Sequence, residues 1–133
     1  MKVQQWELFP QSQIGKIVFG SEKGEIQKIL GKKYKSFCKS IFSKNLTDDY
    51  TNYHIYYDEK NFVEAVEIFG GIEVILNGKI LFPGTVRQAQ KILPDLKYED
   101  GSYISCKESI GLYAPNDGGD IEAILVARKG YYG

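Results

Sequence analysis

The sequence lacks long apolar runs, and it has only two cysteines and one histidine in 133 residues. Cys38 and Cys106 are too few for a disulfide framework, which favours a reducing compartment. No run approaches the roughly 18 apolar residues of a membrane span. The first residues, MKVQQWELFPQSQ, carry neither the apolar core nor the cleavage site of a secretory signal. We therefore expect one cytoplasmic domain, residues 1–133, without membrane contact.

The sequence also lacks net charge, since 17 basic residues balance 17 acidic ones. This balance gives no indication of a general affinity for nucleic acid or for an anionic membrane. The charges are nevertheless segregated: residues 23–44 hold seven lysines against Glu25, and residues 47–73 hold seven acids against Lys60. A neutral protein with this distribution can present one strongly charged face.

The stretch IGKIVFGSEKGEIQKILG contains the signals of a strand, a glycine turn and a short helix. The apolar run 17–19 predicts the strand, and Gly20 followed by the capping residue Ser21 predicts a helix over about 21–30. Gly31 is a typical C-terminal stop. The i, i+3, i+4 spacing predicts a core-facing stripe formed by Ile26, Ile29 and Leu30.

The same order of signals recurs in the second half of the chain. Residues 80–82 form the apolar run, and Thr85 with Gln88 forms a capping box that opens a helix over about 85–93. The predicted core face of this helix consists of Val86, Ala89, Ile92 and Leu93. The two helical segments therefore follow one pattern.

A hairpin-like pair of strands follows each predicted helix. Alternation of apolar and polar residues places four side chains on one buried face: Val66, Ile68, Ile124 and Val126. We therefore predict an α+β domain with an internal duplication, about 14–69 and 72–128, whose helices lie on one face of a single antiparallel sheet.

The segment between the first helix and its hairpin, KKYKSFCKSIFSKNLTDDYTNY, has no counterpart of equal length in the second half. Its apolar residues fit a helical spacing, but its lysines and serines suit an extended or irregular segment equally well. The sequence leaves the structure of residues 32–52 open. Features specific to the first half are expected in this insertion.

Two resemblances to known families rest on short motifs. The patterns FGS at 19–21, EI at 25–26 and ILG at 29–31 resemble the repeat unit of the SmpA/OmlA lipoproteins and of the beta-lactamase inhibitor protein, which implies helices layered on an antiparallel sheet. SKNLTDD at 43–49 and RKGYY at 128–132 resemble small bacterial immunity proteins encoded beside toxins, which implies neutralisation of a cognate toxin domain. The chain has no lipid-acceptor cysteine, so an outer-membrane role is not expected.

Residues that could carry chemistry fall into patterns more typical of structure. The glycines of the stretch 15–24 lack the spacing of a phosphate-binding loop. His54 has no sequence-near metal ligand, and Cys38 and Cys106 have no evident base, so we interpret the cysteines as small buried residues. We predict no catalytic residue, no metal and no cofactor.

Tyrosines and acids are interleaved over residues 48–59, where they combine flat contact area with negative charge. Such a cluster would speed the encounter with a basic protein and repel nucleic acid. The predicted partner-binding residues are Asp48, Asp49, Tyr50, Tyr53, Tyr56, Asp58 and Glu59. A half-buried tyrosine strand in an ordinary sheet would produce the same pattern.

These patterns favour two functions, and they leave open a third, a structural module within a larger assembly. The first is a cytoplasmic bacterial immunity protein, an antitoxin in contact-dependent inhibition that binds a cognate toxin domain, for instance a basic nuclease, and is not an enzyme. The alternative is a small ligand-binding domain or enzyme that uses a groove between helices and sheet. The sequence shows no combination of base, nucleophile and metal ligands, which favours the first function.

Overall fold

The computed structural model describes residues 4–31, 34–38, 46–116 and 119–132. Strands account for 50% of it and helices for 13%, and the strands form two sheets. The predicted α+β fold, with helices on one face of a single antiparallel sheet, is therefore wrong. The protein is mostly β, because segments outside the predicted hairpins also form strands.

The described residues contain thirteen strands and two helices. In chain order they are β1 (Gln4–Phe9), β2 (Gln13–Ile14), β3 (Ile17–Val18), α1 (Lys23–Leu30), β4 (Lys35–Cys38), β5 (Leu46–Asp49), β6 (Tyr53–Tyr57), β7 (Val63–Ile68), β8 (Ile72–Leu76), β9 (Lys79–Phe82), α2 (Val86–Ile92), β10 (Lys97–Glu99), β11 (Ser102–Ser105), β12 (Ile110–Tyr113) and β13 (Ala123–Ala127).

The smaller sheet has five strands in the order β3-β2-β1-β8-β9. Its one parallel pair joins β1 to β8, with Trp6 opposite Val74. Its other neighbouring strands run antiparallel. Because a short turn cannot close a parallel pair, no local sequence pattern predicts this contact.

The larger sheet has eight strands in the order β10-β11-β12-β13-β7-β6-β5-β4 and is antiparallel throughout. At its centre Val66 lies opposite Val126, and Ile68 lies opposite Ile124. All four side chains are buried, in agreement with the faces that their alternation predicts. The last strands of the two predicted repeats therefore pair with each other.

The two helix starts are attached to the larger sheet by matching hydrogen bonds. The Val63 amide donates to the Ser21 carbonyl at 2.9 Å, and the Ile121 amide donates to the Gly84 carbonyl at 2.9 Å. The first residue of β7 is thus bonded to the segment before α1. In the same way, the segment before β13 is bonded to the segment before α2. The single domain with an internal duplication stays a prediction.

The capping box predicted for α2 is present, whereas the cap predicted for α1 is not. Oγ1 of Thr85 accepts a hydrogen bond from the Gln88 amide at 3.3 Å, and Oε1 of Gln88 accepts one from the Thr85 amide at 3.2 Å. The N-cap of α1 is Glu22 instead of Ser21, and its side chain makes no capping bond. Without a capping bond, the stability of α1 depends mainly on the packing of its side chains against the rest of the protein.

Buried side chains from both sheets and both helices form one hydrophobic cluster. α1 contributes Ile26, which is 1% exposed, and α2 contributes Val86 and Ala89. The sequence predicts Ile29 in the core stripe as well, but Ile29 is 51% exposed. Ile26 and Leu30, which are four positions apart on this eight-residue helix, face the cluster. Ile29 does not belong to the cluster.

The insertion whose structure the sequence leaves open contains β4, a strand at the edge of the larger sheet that pairs with β5. Residues 32–33 and 39–45 lie outside the described residues. In the described part of the chain, neither helix is both long enough and apolar enough to cross a membrane.

Candidate binding cleft

Four partly exposed aromatic rings form a continuous row. Trp6 of β1 meets Tyr53 of β6 edge-on, with the ring centroids 4.9 Å apart. Tyr53 stacks on Tyr50 at 5.1 Å with 13° between the ring planes, and Tyr50 meets Tyr34 at 5.5 Å. Because β1 and β6 belong to different sheets, this row connects the two sheets.

A cleft of about 510 Å³ opens beside this aromatic row. Trp6 and Tyr53 contribute aromatic surface to its lining, and Ile29 and Leu30 from the end of α1 contribute aliphatic surface. Lys16 also lines it. Ligand sites in proteins typically enclose roughly 300–1,000 Å³ and combine apolar walls with a few polar groups, and this cleft fits that description.

Gly15 shapes the wall of the cleft that contains Trp6. Its φ of +57° lies in the left-handed region, and its amide donates to the Glu7 carbonyl at 3.0 Å. A Cβ atom placed on Gly15 would lie 2.9 Å from Cγ of Trp6. Glycine therefore allows the indole to lie against the turn between β2 and β3, which holds the ring in place.

Tyr50 holds the end of α1, which forms another wall of the cleft. Its hydroxyl donates to the Gly31 carbonyl at 2.9 Å. Burial, with the charge of Asp48 adding to the effect, raises the pKa of Tyr50 well above its ordinary value, so the hydroxyl keeps the proton that it donates. Burial likewise raises the pKa of Tyr53 to about 12. Both rings are thus neutral at physiological pH.

A buried carboxylate, Asp48, connects α1 to the larger sheet. It is 0% exposed, and its Oδ2 accepts hydrogen bonds from Tyr57 Oη at 2.7 Å and Gln27 Nε2 at 2.9 Å. Lys23 Nζ lies 4.0 Å from Oδ1, which has no hydrogen-bond partner among the described residues. Because Lys23 and Gln27 belong to α1, these contacts also set the position of the cleft wall.

The second half of the larger sheet fills the matching place without a carboxylate. Under the predicted duplication, Tyr103, which lies opposite Leu112, is the counterpart of Asp48, which lies opposite Ile55. The same arrangement of strands therefore forms without a buried charge. In the second half a carboxylate at a different place, Asp95 after α2, accepts a hydrogen bond from the Ser105 hydroxyl of β11 at 2.9 Å.

The residues of the predicted tyrosine–acid cluster do not lie on one surface in the structure. Asp48 is buried, so its predicted place on a partner-binding surface is wrong. Tyr50 and Tyr53 belong to the aromatic row. Tyr56 packs on the opposite face of the larger sheet, where its hydroxyl donates to Glu67. Because successive side chains of a strand point to opposite faces, Tyr53 and Tyr56 do not share a surface.

The other three predicted acids lie in or next to the turns that flank β6. Asp49 accepts a hydrogen bond from the Thr51 amide at 2.7 Å and lies 3.4 Å from Nε2 of His54. Glu59 is exposed in the turn between β6 and β7, and Asp58 organises that turn. A partner-binding role for these acids stays a prediction.

Asp58 joins the turn between β6 and β7 to the segment after β13. Its Oδ1 accepts hydrogen bonds from the amides of Lys60 and Phe62, and its Oδ2 accepts one from Arg128 at 2.8 Å. Partial burial acts to raise the pKa of Asp58, but the hydrogen bonds from Phe62, Arg128 and Lys60 outweigh it. The pKa of Asp58 therefore lies below its ordinary value.

The Asp58→Asn variant should be less sensitive to acid than the wild type. A carboxyl whose pKa is lower in the folded state stabilises the fold above its ordinary pKa of 3.8, and that stabilisation is lost as the pH falls through the folded value. The difference in stability between the two proteins should be largest at about pH 6 and should narrow as the pH falls below 3.8. Urea midpoints across this range measure it, and a difference independent of pH would contradict the prediction.

The prediction that the cysteines are small buried residues is wrong for Cys106, which is exposed. Its Sγ donates to the Tyr132 carbonyl at 3.6 Å. The side chain of Cys38 lies outside the described part of the structure. In the ranges that the structure describes, no group of three His, Cys, Asp or Glu side chains is placed to hold a metal ion.

Comparison of the chain with protein-family models, with curated proteins and with solved structures finds no match. The resemblances to the SmpA/OmlA and beta-lactamase-inhibitor module and to immunity proteins therefore stay predictions. What the cleft can bind has to be inferred from its own geometry.

Among the residues that line the cleft, the sequence predicted only Tyr53 as a site residue, and the missed residues include Trp6 and Lys16. Trp6 is the only tryptophan in the chain, and its immediate neighbours in the sequence are glutamine and glutamate. A lone large ring between polar residues was the available signal. Lys16 carries no such signal, because only the packing of the turn between β2 and β3 brings it to the cleft.

Proposed function

We propose that this protein binds and neutralises a cognate toxin domain and that it contacts this partner through the aromatic cleft. The observation that carries the proposal is the row of partly exposed rings from Trp6 to Tyr34 beside a cleft of about 510 Å³. Tryptophan and tyrosine supply most of the energy at many protein interfaces, because they remove a large rigid area from water.

The rigidity of the cleft supports this function. Gly15 lets the turn between β2 and β3 pack against Trp6, and the hydroxyl of Tyr50 is bonded to the end of α1. Side chains that are already ordered lose little conformational freedom when a partner arrives, so more of the contact energy appears as affinity. Ile29, which is half exposed on α1, would be covered by the same partner.

The acids of the predicted cluster have a smaller role in this proposal than the sequence suggests. Asp48 is buried, and Asp58 is bonded to Arg128. Asp49 and Glu59 are the cluster's remaining acids that could steer a basic protein toward the surface. The proposal therefore does not depend on a basic nuclease as the partner.

Survival of the host in contact with toxin-producing sibling cells tests the proposal. Deletion of the gene should make the host sensitive, and the wild-type chain should restore protection. Trp6→Ala should fail to protect, because loss of a central aromatic contact weakens binding by at least about tenfold. Ile29→Gln provides a second variant that changes the cleft at an exposed position, with little expected effect on folding.

Tyr113→Ala is the matched control. Tyr113 is a half-exposed aromatic residue of β12 that does not line the cleft, so this variant should protect as well as the wild type. Urea midpoints identify any variant that fails because it unfolds. A deletion without effect on survival would contradict the neutralising function, and full protection by both Trp6→Ala and Ile29→Gln would contradict the use of the cleft.

A further inference from the structure

We infer that the element bound in the cleft is an apolar segment that carries carboxylates, presented by an acidic loop of the partner protein. This inference rests on the proposed function, since it specifies the chemistry of the partner at the same site. It reverses the charge that the tyrosine–acid cluster predicts for the partner.

The charges around the cleft favour an anionic ligand. Among the described residues that line it, Lys16 is the charged side chain, and no carboxylate is present. Lys16 is exposed and makes no ion pair with an acid in the described ranges. Just outside the lining, Lys28 precedes Ile29 in the last turn of α1, and the carboxylate of Glu73 accepts a hydrogen bond from the lining residue Gln5 at 2.9 Å. A carboxylate that entered beside Lys16 would therefore be attracted, and a basic side chain would be repelled.

Gln4 and Gln5 add two amide groups to the lining, and the rest of the walls favours an apolar segment between such carboxylates. Ile29 and Leu30 present aliphatic surface, and Trp6 and Tyr53 present aromatic surface. An isoleucine that is 51% exposed on a helix leaves apolar area in water, which a bound aliphatic side chain would cover. Aliphatic residues flanked by acids satisfy both the apolar walls and Lys16.

The arrangement of the rings favours a peptide over single-stranded nucleic acid. Nucleic-acid bases need free ring faces on which to stack, and the phosphate backbone needs several cations. Here Tyr50 and Tyr53 stack on each other, and Trp6 lies against the backbone of Gly15. One lining cation is too few for a phosphate chain, although it suffices for a carboxylate.

Intrinsic fluorescence provides a direct test, because Trp6 is the only tryptophan and lines the cleft. The probes are three capped hexapeptides in which leucine alternates with aspartate, with lysine or with asparagine. The aspartate peptide should change the fluorescence saturably and bind at least about tenfold more tightly than the lysine peptide. Added salt should reduce this preference, because charge attraction is screened.

Lys16→Glu should abolish or invert the preference for the aspartate peptide, and Lys16→Gln should reduce it. Both changes are in an exposed turn and should leave the urea midpoint unchanged. Ile29→Gln should weaken the binding of all three peptides. The inference is overturned if the lysine peptide binds as tightly as the aspartate peptide, if no peptide changes the fluorescence, or if hexathymidylate binds more tightly than the aspartate peptide.

The two proposals fail in distinguishable ways. If the aspartate peptide is preferred but gene deletion leaves survival unchanged, the cleft chemistry holds and the neutralising function is wrong. If cleft variants lose protection but the aspartate peptide is not preferred, the neutralising function holds and the inference about partner charge is wrong.

Discussion

Replacement of Asp48 with alanine should lower the free energy of unfolding by about 2–4 kcal/mol, because it leaves two donors, the Tyr57 hydroxyl and the Gln27 amide, without their acceptor. The hydroxyl of Tyr57 and the amide of Gln27 both donate to this carboxylate, and Lys23 lies 4.0 Å from it. Guanidinium unfolding followed by circular dichroism measures the loss. Since α1 would lose this attachment to β5, the cleft should also become less ordered.

Three controls separate the buried network from general effects of charge. Glu59→Ala removes an exposed acid and should change stability by no more than about 0.5 kcal/mol. Asp48→Asn keeps an oxygen that can accept from Tyr57 and should cost less than Asp48→Ala. In a Tyr57→Phe background the cost of Asp48→Ala should fall, because the two residues act together. If Asp48→Ala is as mild as Glu59→Ala, the network does not hold α1.

Ile26→Ala should lower the free energy of unfolding by about 2–5 kcal/mol, because it leaves a cavity under α1. Ile26 is 1% exposed and belongs to the cluster shared by both sheets. The change removes the same atoms as Ile29→Ala, three positions along the same helix. The comparison therefore isolates burial from helix propensity.

Ile29→Ala should leave stability within about 0.5 kcal/mol of the wild type, since Ile29 is half exposed and alanine favours helix. Leu93→Ala, at a buried residue that follows α2, should resemble Ile26→Ala. Urea unfolding of the three variants measures these differences. A large loss for Ile29→Ala would contradict the orientation of α1 and would restore the core stripe that the sequence predicts.

Features that depend on near neighbours could be predicted from the sequence. The capping box of Thr85 and Gln88 marks the start of α2, and Gly31 marks the end of α1. Alternation along β7 and β13 identified Val66 and Ile124 as buried on one face. Each of these predictions succeeded because the interaction joins residues within one turn of helix or two positions along a strand.

The sequence predicted the candidate site only in part. Tyr50 and Tyr53 were chosen for their aromatic rings, and they lie in the row beside the cleft. Asp48 was chosen for its charge, but whether an aspartate faces water depends on what covers it, and here Gln27 of α1 and Tyr57 of β6 do so. Polar residue types predict exposure on average and fail where a partner is supplied from a distant part of the chain.

The division into two sheets, and the cleft where they meet α1, arise only in the tertiary structure. The parallel pair of β1 and β8 brings Trp6 into a sheet with a strand from the middle of the chain, and Trp6 then meets Tyr53 of the larger sheet. Strand partners are selected by the fit of whole faces across long stretches of chain, and the same alternating pattern is compatible with one sheet or with two. The sequence therefore contains the residues of the cleft, whereas their proximity arises only when the two sheets and α1 bury a common core.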